Sequence, residues 1–318
     1  MNPKLLVATF VAVILAVGCR PNANSKSKTE NPSSDPLQIV TTTGQINDAV
    51  KRLTEGADTS ITLFCGPGVD PHSFSASTKD VQAMLDADLI VYNGFHLEAR
   101  LSEHLHGAFE TKAWAMSSSF PETARLDWIE DGSIDSDAPF DPHIWNHLPA
   151  WSECVRSLAI RLGKADSKNA TLYRDNAEQY IQEILAVHQW ADEKLKSLPS
   201  DRRIIVSAHD AFNYFAKVYD METLAVLGIG NDPEADIKTM RKVADEIAKK
   251  KIPAIFMESI TNPKVTQALH EACAARSWEL ELVARPLYSD DLGEAPPQDT
   301  FLGAFKSNVE IIFESLNK

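Results

Sequence analysis

The sequence has 318 residues and an acidic balance, with 45 Asp and Glu against 31 Lys and Arg and a formal net charge of −14 at pH 7. This charge argues against a nucleic-acid-binding protein, because no basic stripe is available to meet phosphates. The chain is long for one domain and comfortable for two.

The N-terminal residues predict a targeting segment. Lys4 provides a positive start, and the apolar run from Leu5 to Val17 has the length of a signal-peptide core and is too short for a relaxed membrane span. We therefore assign residues 1–18 to a signal peptide. It ends in LAVGC (15–19), which resembles a bacterial lipobox and implies that Cys19 is lipid-modified after cleavage. The alternative is an ordinary signal peptide followed by a chance cysteine.

Residues 19–35 predict a flexible tether behind the lipidated cysteine. They lack large apolar side chains and are rich in Ser, Asn and Lys, so they cannot bury a core. A tether of this kind implies a globular body held near a membrane surface. We expect an extracytoplasmic protein, periplasmic or at the cell surface, that is anchored to the membrane through its lipid.

From residue 36 onward, short apolar runs alternate with amphipathic stretches, and the runs predict strands. They are LQIVTTT (37–43), ITLFC (61–65), LIVYN (89–93), RIIVSA (203–208), TLAVL (223–227), AIFME (254–258) and LELVA (280–284). Two helices have clear openings, at residues 231–233 and 262–263, where a capping residue precedes proline. Alternating strands and helices favour an α/β fold of mostly parallel sheets with flanking helices.

Residues 166–198 break this alternation and predict one long spine helix, without Gly or Pro before Pro199. The spine divides the body into an N-terminal α/β lobe at 36–165 and a C-terminal α/β lobe at 199–318. The alternative is two shorter helices that meet near Val187. The apolar face is predicted to contain Leu172, Ala177, Tyr180, Ile181, Ile184, Leu185, His188 and Ala191.

The tripeptide Asp-Pro-His occurs twice, in DPHSF (70–74) and in DPHIW (141–145). Proline fixes its own φ and pushes the residue before it toward an extended conformation, so the histidine sits on stiffened backbone. Such a position suits an imidazole that is held in place before its ligand arrives. His72 and His143 are therefore candidate metal ligands.

The second half contributes two further candidates at strand ends. His209 follows the strand 203–208, and Asp290 follows the strand 280–284. Ligands of open α/β sheets bind beyond the carboxyl ends of the strands, a rule that His72 also satisfies and that does not predict the position of His143. Asp291 is adjacent; Asp290 is favoured as the ligand, and whether Asp291 also contributes stays open.

The chain resembles the solute-binding receptors of zinc/manganese ABC importers, of the two-lobed type with a rigid backbone helix. The resemblance rests on five stretches in the family's order: PGVDPHSFSASTKDVQAMLDADLIVYNGFHLE (67–98), DPHIW (141–145), SAHDAFNYFAKVYD (207–220), IPAIFMESITNPKV (252–265) and YSDDLG (288–293). It implies a monomeric receptor rather than an enzyme, whose partner is a membrane ABC permease. It also implies that His72, His143, His209 and Asp290 bind Zn²⁺ or Mn²⁺.

The choice between the two metals stays open. Imidazole and carboxylate ligands suit tetrahedral Zn²⁺, and three imidazoles favour Zn²⁺ on intrinsic affinity. The resemblance points the other way, because an acidic insert at 130–140 stands where zinc-dedicated members often carry a His-rich loop. Glu258, at the end of a predicted strand, either supports a metal ligand from behind or is an ordinary strand-end carboxylate. Asp70 and Asp141 either orient the neighbouring imidazoles or only shape the Asp-Pro turn.

Two other functions compete with a metal receptor. A zinc hydrolase would use three ligands, a helper carboxylate and a bound water, but HExxH and GxSxG motifs are missing. A receptor for a chelated-iron or other organic ligand would need a cleft rich in Arg or Trp, and only Trp145 adjoins a candidate ligand.

Cys65, Cys154 and Cys273 match no CxxC motif, and their pairing stays open. The remaining histidines are expected to be ordinary surface or core residues: His96, His104, His106, His147, His188 and His270.

Overall fold

The computed structural model describes residues 35–130, 133–134, 139–230 and 236–318. The predicted signal peptide, Cys19 and the tether up to residue 34 lie outside these residues, as does the predicted helix opening at 231–233. Within the described ranges, no helix combines the length and the apolar composition needed to cross a membrane.

The first lobe is built on a four-stranded parallel sheet with the strand order β2-β1-β3-β4. Its strands are β1 Leu37–Thr41, β2 Thr59–Leu63, β3 Leu89–Tyr92 and β4 Ala113–Ala115, and its first helices are α1 Gly44–Thr54, α2 Thr78–Asp86 and α3 Ser102–His106. Apolar runs in the sequence predict β1, β2 and β3, and β3, which is buried along its whole length, is apolar throughout, as expected of a strand inside a parallel sheet. The carboxyl ends of these strands share one edge.

A short arm and a long helix follow the first sheet. The antiparallel pair β5 (Ile129–Glu130) and β6 (Ser133–Ile134) forms the arm, and α4 (Leu148–Ala165) packs along the spine helix. The helix α4 ends at Ala165, and the carboxylate of its capping residue Asp166 accepts hydrogen bonds from Asn169 Nδ2 at 2.6 Å and from the Tyr173 hydroxyl at 2.7 Å.

The spine is a single helix, α5 (Ala170–Lys196, 27 residues), so the alternative of two shorter helices is wrong. It begins later than predicted because Asp166 ends α4 and a 3₁₀ turn, Ser167–Asn169, comes first. Leu185 is 42% exposed, contrary to the prediction, since it is rotated about 100° from the buried Ile184. The buried residues of α5 are Tyr173, Ala177, Tyr180, Ile181, Ile184, Val187, Ala191 and Leu195.

The second lobe contains two parallel strand pairs whose strands β7 and β9 contact each other. Its strands are β7 Ile204–Ser207, β8 Glu222–Ala225, β9 Ala254–Glu258 and β10 Glu281–Leu287, and its helices are α6 Asn213–Tyr219, α7 Ile237–Lys250, α8 Pro263–Ala274 and α9 Phe301–Leu316. Asn262 caps α8 as predicted, with its side chain accepting from the Lys264 amide. The helix α7 begins at Ile237 behind the cap Asp236, whose side chain accepts a hydrogen bond from the Thr239 amide.

One hydrophobic core joins both lobes through the spine. It contains Ile39 of β1, Ile205 of β7 and Phe256 of β9, together with the buried face of α5. A shared core makes the spine a stiff connection. The structure confirms the predicted α/β class of two lobes joined by one long helix, while the lobe boundaries at 165/166 and 198/199 stay predictions.

The three described cysteines do not pair. Cys65, Cys154 and Cys273 are free and buried, and each belongs to a different hydrophobic cluster. They pack as small apolar side chains.

Candidate metal centre

Both Asp-Pro-His segments use their aspartate to fix the histidine that follows. After β2, Asp70 Oδ1 accepts a hydrogen bond from the His72 backbone amide at 2.9 Å. Before α4, Asp141 Oδ1 accepts from the His143 amide at the same distance and also contacts His143 Nδ1 at 2.8 Å. In both copies the aspartate side chain bonds to the amide of the histidine two residues later and forms an Asx turn, which gives the repeated tripeptide a structural reason.

Further polar contacts anchor the His143 segment to both lobes. Asn93 Nδ2, directly after β3, donates to the Pro142 carbonyl at 2.8 Å, and Asn213 Nδ2 of the second lobe donates to Asp141 Oδ2 at 3.1 Å. The Tyr214 hydroxyl donates to the Asp141 carbonyl at 3.0 Å. His143 lies away from a strand end, and these contacts position it instead.

His209 is held by the carboxylate that ends the neighbouring strand. Glu258 Oε1 accepts from the backbone amides of Ala208 and His209 at 2.7 and 2.9 Å, and Glu258 Oε2 lies 2.6 Å from His209 Nδ1. The contact exists because β7 and β9 are neighbours and end at the same edge. Glu258 therefore orients the imidazole and leaves Nε2 facing the cleft.

The two adjacent aspartates point in different directions. Both carboxylate oxygens of Asp290 are buried, and within the described part of the chain they have no hydrogen-bond partner apart from the imidazoles that face them. Asp291 instead accepts hydrogen bonds from the Gly68 amide at 2.7 Å and from the Ser259 hydroxyl. Asp290 therefore faces the histidines, and Asp291 connects the surrounding loops.

His72, His143, His209 and Asp290 converge on one point at the interface of the lobes. Asp290 Oδ2 lies 3.2 Å from His72 Nε2 and 3.3 Å from His209 Nε2, and Asp290 Oδ1 lies 3.5 Å from His143 Nε2. The Nε2 atoms of His72 and His143 are 3.3 Å apart, and one candidate ligand atom from each residue lies within 4.8 Å of all the others. Ligands at 2.0–2.2 Å around a tetrahedral ion are about 3.3–3.6 Å apart.

The four side chains of this cluster are buried, and their charges shift one another's pKa values. The four side chains belong to residues that are between 0 and 9% exposed. Burial alone would raise the pKa of Asp290, but the neighbouring His209 and His143 hold that pKa well below its usual range. Burial lowers the pKa of His72.

The pKa values of the other two imidazoles are raised. Burial opposes the charged form of His143, but the carboxylates of Asp290 and Asp141 outweigh it and raise the pKa to about 9. Glu258 and Asp290 likewise outweigh burial and raise the pKa of His209 well above its usual value. Protons thus supply the positive charge that the buried carboxylates require, and a divalent cation could supply it in their place.

The other histidines lie elsewhere. Among the described residues, the four candidates form the one group of three or more side chains placed to share a metal ion. Sequence reasoning named Asp70, Asp141 and Glu258 as open cases, and it missed Asn93, Asn213 and the Gly68 amide. These missed contacts join positions far apart in the chain and leave no local pattern.

The family of the chain follows from a match over nearly the whole body. The model of ZnuA, described as zinc-uptake complex component A periplasmic, matches residues 39–315. The chain belongs to this family. The resemblance inferred from the five sequence stretches is thereby confirmed.

Two curated relatives extend over almost the full length. The manganese-binding lipoprotein MntA of Bacillus subtilis is 29% identical over 99% of this chain and 100% of its own. The zinc-binding protein TroA of Treponema pallidum is 34% identical over 96% of this chain and 97% of its own. The solved structure of periplasmic TroA superposes with a TM-score of 0.82 and covers 89% of this chain and 99% of that chain.

The raised pKa of His143 predicts how the stability of the metal-free protein depends on pH. A pKa of about 9 in the folded state, against about 6.5 in the unfolded chain, contributes stability that is complete below pH ~6.5 and is lost as pH rises through about 9. We expect the free energy of unfolding to fall by about 1–3 kcal/mol across this window. Urea denaturation in the presence of a chelator measures it.

The matched control is His143→Gln, which keeps a polar side chain but cannot titrate. Its free energy of unfolding should fall less than that of the wild type over the same window. Equal pH dependence in the two proteins would contradict the assignment of the raised pKa to His143.

Proposed function

We propose that this protein is an extracytoplasmic solute-binding protein that captures Zn²⁺ or Mn²⁺ between its lobes and delivers the ion to a membrane ABC permease. His72 and His143 of the first lobe and His209 and Asp290 of the second lobe are the proposed ligands. The observation that carries the proposal is their buried convergence, with separations of 3.2–3.5 Å that suit ligands around one ion.

The outer carboxylates prepare the imidazoles for the ion. Asp141 and Glu258 contact the Nδ1 atoms of His143 and His209, so the proton stays on Nδ1 and the Nε2 lone pair faces the cluster. Binding at neutral pH displaces the protons that the raised pKa values retain in the metal-free cluster. The affinity for metal therefore weakens as pH falls.

The ion is cargo that links the lobes. Because each lobe provides two ligands, binding stabilises the closed arrangement, and separation of the lobes by a permease releases the ion. The stiff spine restricts this separation to a small tilt or to the ligand loops. Relatives named for manganese and for zinc support both ions as cargo. Three imidazoles favour Zn²⁺ on intrinsic affinity.

The protein is proposed to be a monomer anchored through Cys19. The full-length relative of Bacillus subtilis is named a lipoprotein, and the family model describes a periplasmic component. The first name supports a lipid anchor, and the second supports an extracytoplasmic location.

The two alternative functions receive less support. A zinc hydrolase needs an open position for water, whereas three imidazoles and one carboxylate already fill a tetrahedral shell. A chelated-iron or organic ligand needs a roomy cleft, whereas the candidate ligand atoms lie within 4.8 Å of one another. The family is one of solute-binding components rather than enzymes.

Removal of one ligand from each lobe tests the proposal. The metal-stripped wild type should bind one Zn²⁺ or Mn²⁺ per molecule, with Zn²⁺ bound more tightly. The variant His143→Ala with His209→Ala should lose more than about a thousandfold in affinity, because two of four metal–ligand bonds disappear. Competition with a chromophoric chelator measures both quantities. The control His96→Ala with His270→Ala should keep the wild-type affinity, and an unchanged affinity in the first variant would refute the ligand set.

Glu258 should matter although it is not a proposed ligand. In Glu258→Gln the side-chain amide donates to His209 Nδ1, which moves the imidazole proton to Nε2 and blocks the metal-facing nitrogen. We expect a loss of about 10–100-fold in metal affinity. The matched control is Glu271→Gln on an exposed face of α8. Equal affinities of the two variants would show that the contact with Glu258 does not prepare His209.

A further inference from the structure

Asp291 connects the two lobes without facing the cluster. It is 2% exposed, and its Oδ2 accepts a hydrogen bond from the Gly68 amide of the first lobe at 2.7 Å. Its Oδ1 accepts from the hydroxyl of Ser259, which directly follows Glu258 in the second lobe. One side chain thus joins the loop that carries His72 to the strand end that orients His209. We call this pair of hydrogen bonds the Asp291 latch.

The latch holds the His72 loop at a defined point. Gly68 has a φ of +74°, a conformation that glycine adopts readily and other residues rarely do. Two residues after Gly68, the Asp70 side chain accepts a hydrogen bond from the His72 amide and closes the turn there. Asp291 therefore restrains the start of the loop, and Asp70 restrains its end.

Two other side chains of the first lobe donate hydrogen bonds to main-chain carbonyls of the segment that carries Asp290. Trp145 Nε1 donates to the Ser289 carbonyl at 2.9 Å, and Gln45 Nε2 donates to the Asp291 carbonyl at 3.4 Å. These bonds do not involve the Asp291 carboxylate. A change of that side chain alone therefore removes the latch and leaves the placement of Asp290 supported.

We propose that Asp291 is a positioning residue that slows release of the metal, an inference that rests on the proposed function. An ion held by both His72 and Asp290 leaves when the His72 loop moves away from the Asp290 segment. The Gly68–Asp291 hydrogen bond spans these two segments, so it must break in that movement. Its carboxylate acceptor makes the bond stronger than one between neutral groups and therefore harder to break. Asp291 therefore controls the dissociation rate, while the four ligands control coordination.

Release of Zn²⁺ from the loaded full protein into excess chelator, followed by stopped flow, tests this role. Asp291→Asn should release the ion about tenfold faster, with one ion still bound per molecule, because the amide cannot accept from both donors at full strength. Ser259→Ala should release the ion faster than the wild type but more slowly than Asp291→Asn. The matched control Asp299→Asn lies exposed between β10 and α9 and should release at the wild-type rate.

A residue that served only folding would change stability and leave the dissociation rate untouched. Wild-type rates in both Asp291→Asn and Ser259→Ala would overturn the latch, and Ser259→Ala decides by the same criterion if Asp291→Asn does not fold. Failure of the wild type to bind either Zn²⁺ or Mn²⁺ would overturn the proposed function and the latch together.

Discussion

The buried negative charge of Asp290 is the constraint on which the arrangement of the site depends. A carboxylate with both oxygens buried, and with only imidazoles facing it in the described chain, is costly unless those imidazoles or a bound cation carry positive charge. Three imidazoles surround it, and Asp141 and Glu258 add further negative charge behind two of them. The cluster therefore needs positive charge, from protons or from a metal ion. This requirement favours cations over neutral or anionic ligands, whatever their coordination geometry.

The fold brings these charges together by placing their side chains at or beyond the carboxyl ends of strands. His72 follows β2, His209 follows β7, and Glu258 ends β9, so three positions derive from strand ends. The spine α5 shares one hydrophobic core with both lobes, and this core holds the facing loops at a fixed separation. The proposed release movement is therefore a small tilt or a shift of the ligand loops, and the Asp291 latch is a polar connection between the lobes that such a movement breaks.

Much of this arrangement could be predicted from the sequence because its causes are local. Apolar runs predict the strands, and the Asp-Pro-His tripeptide predicts a fixed histidine since the aspartate bonds to the histidine amide two residues later. The sequence favours Asp290 as the ligand but does not show what turns Asp291 away from the histidines, because that depends on the Gly68 amide of the other lobe. The sequence also leaves the role of Glu258 open, since its contact with His209 requires β7 and β9 to be neighbours. Leu185 was misplaced because apolar residues near helical spacing do not reveal which edge of the helix face stays exposed.

The most direct measurement of the central claim is zinc K-edge X-ray absorption on the protein loaded with one equivalent of Zn²⁺. The account predicts four nitrogen or oxygen neighbours at about 2.0–2.2 Å, with the multiple-scattering signature of three imidazoles and no sulfur. A sulfur neighbour, or the signature of fewer than three imidazoles, would contradict the proposed shell of His72, His143, His209 and Asp290.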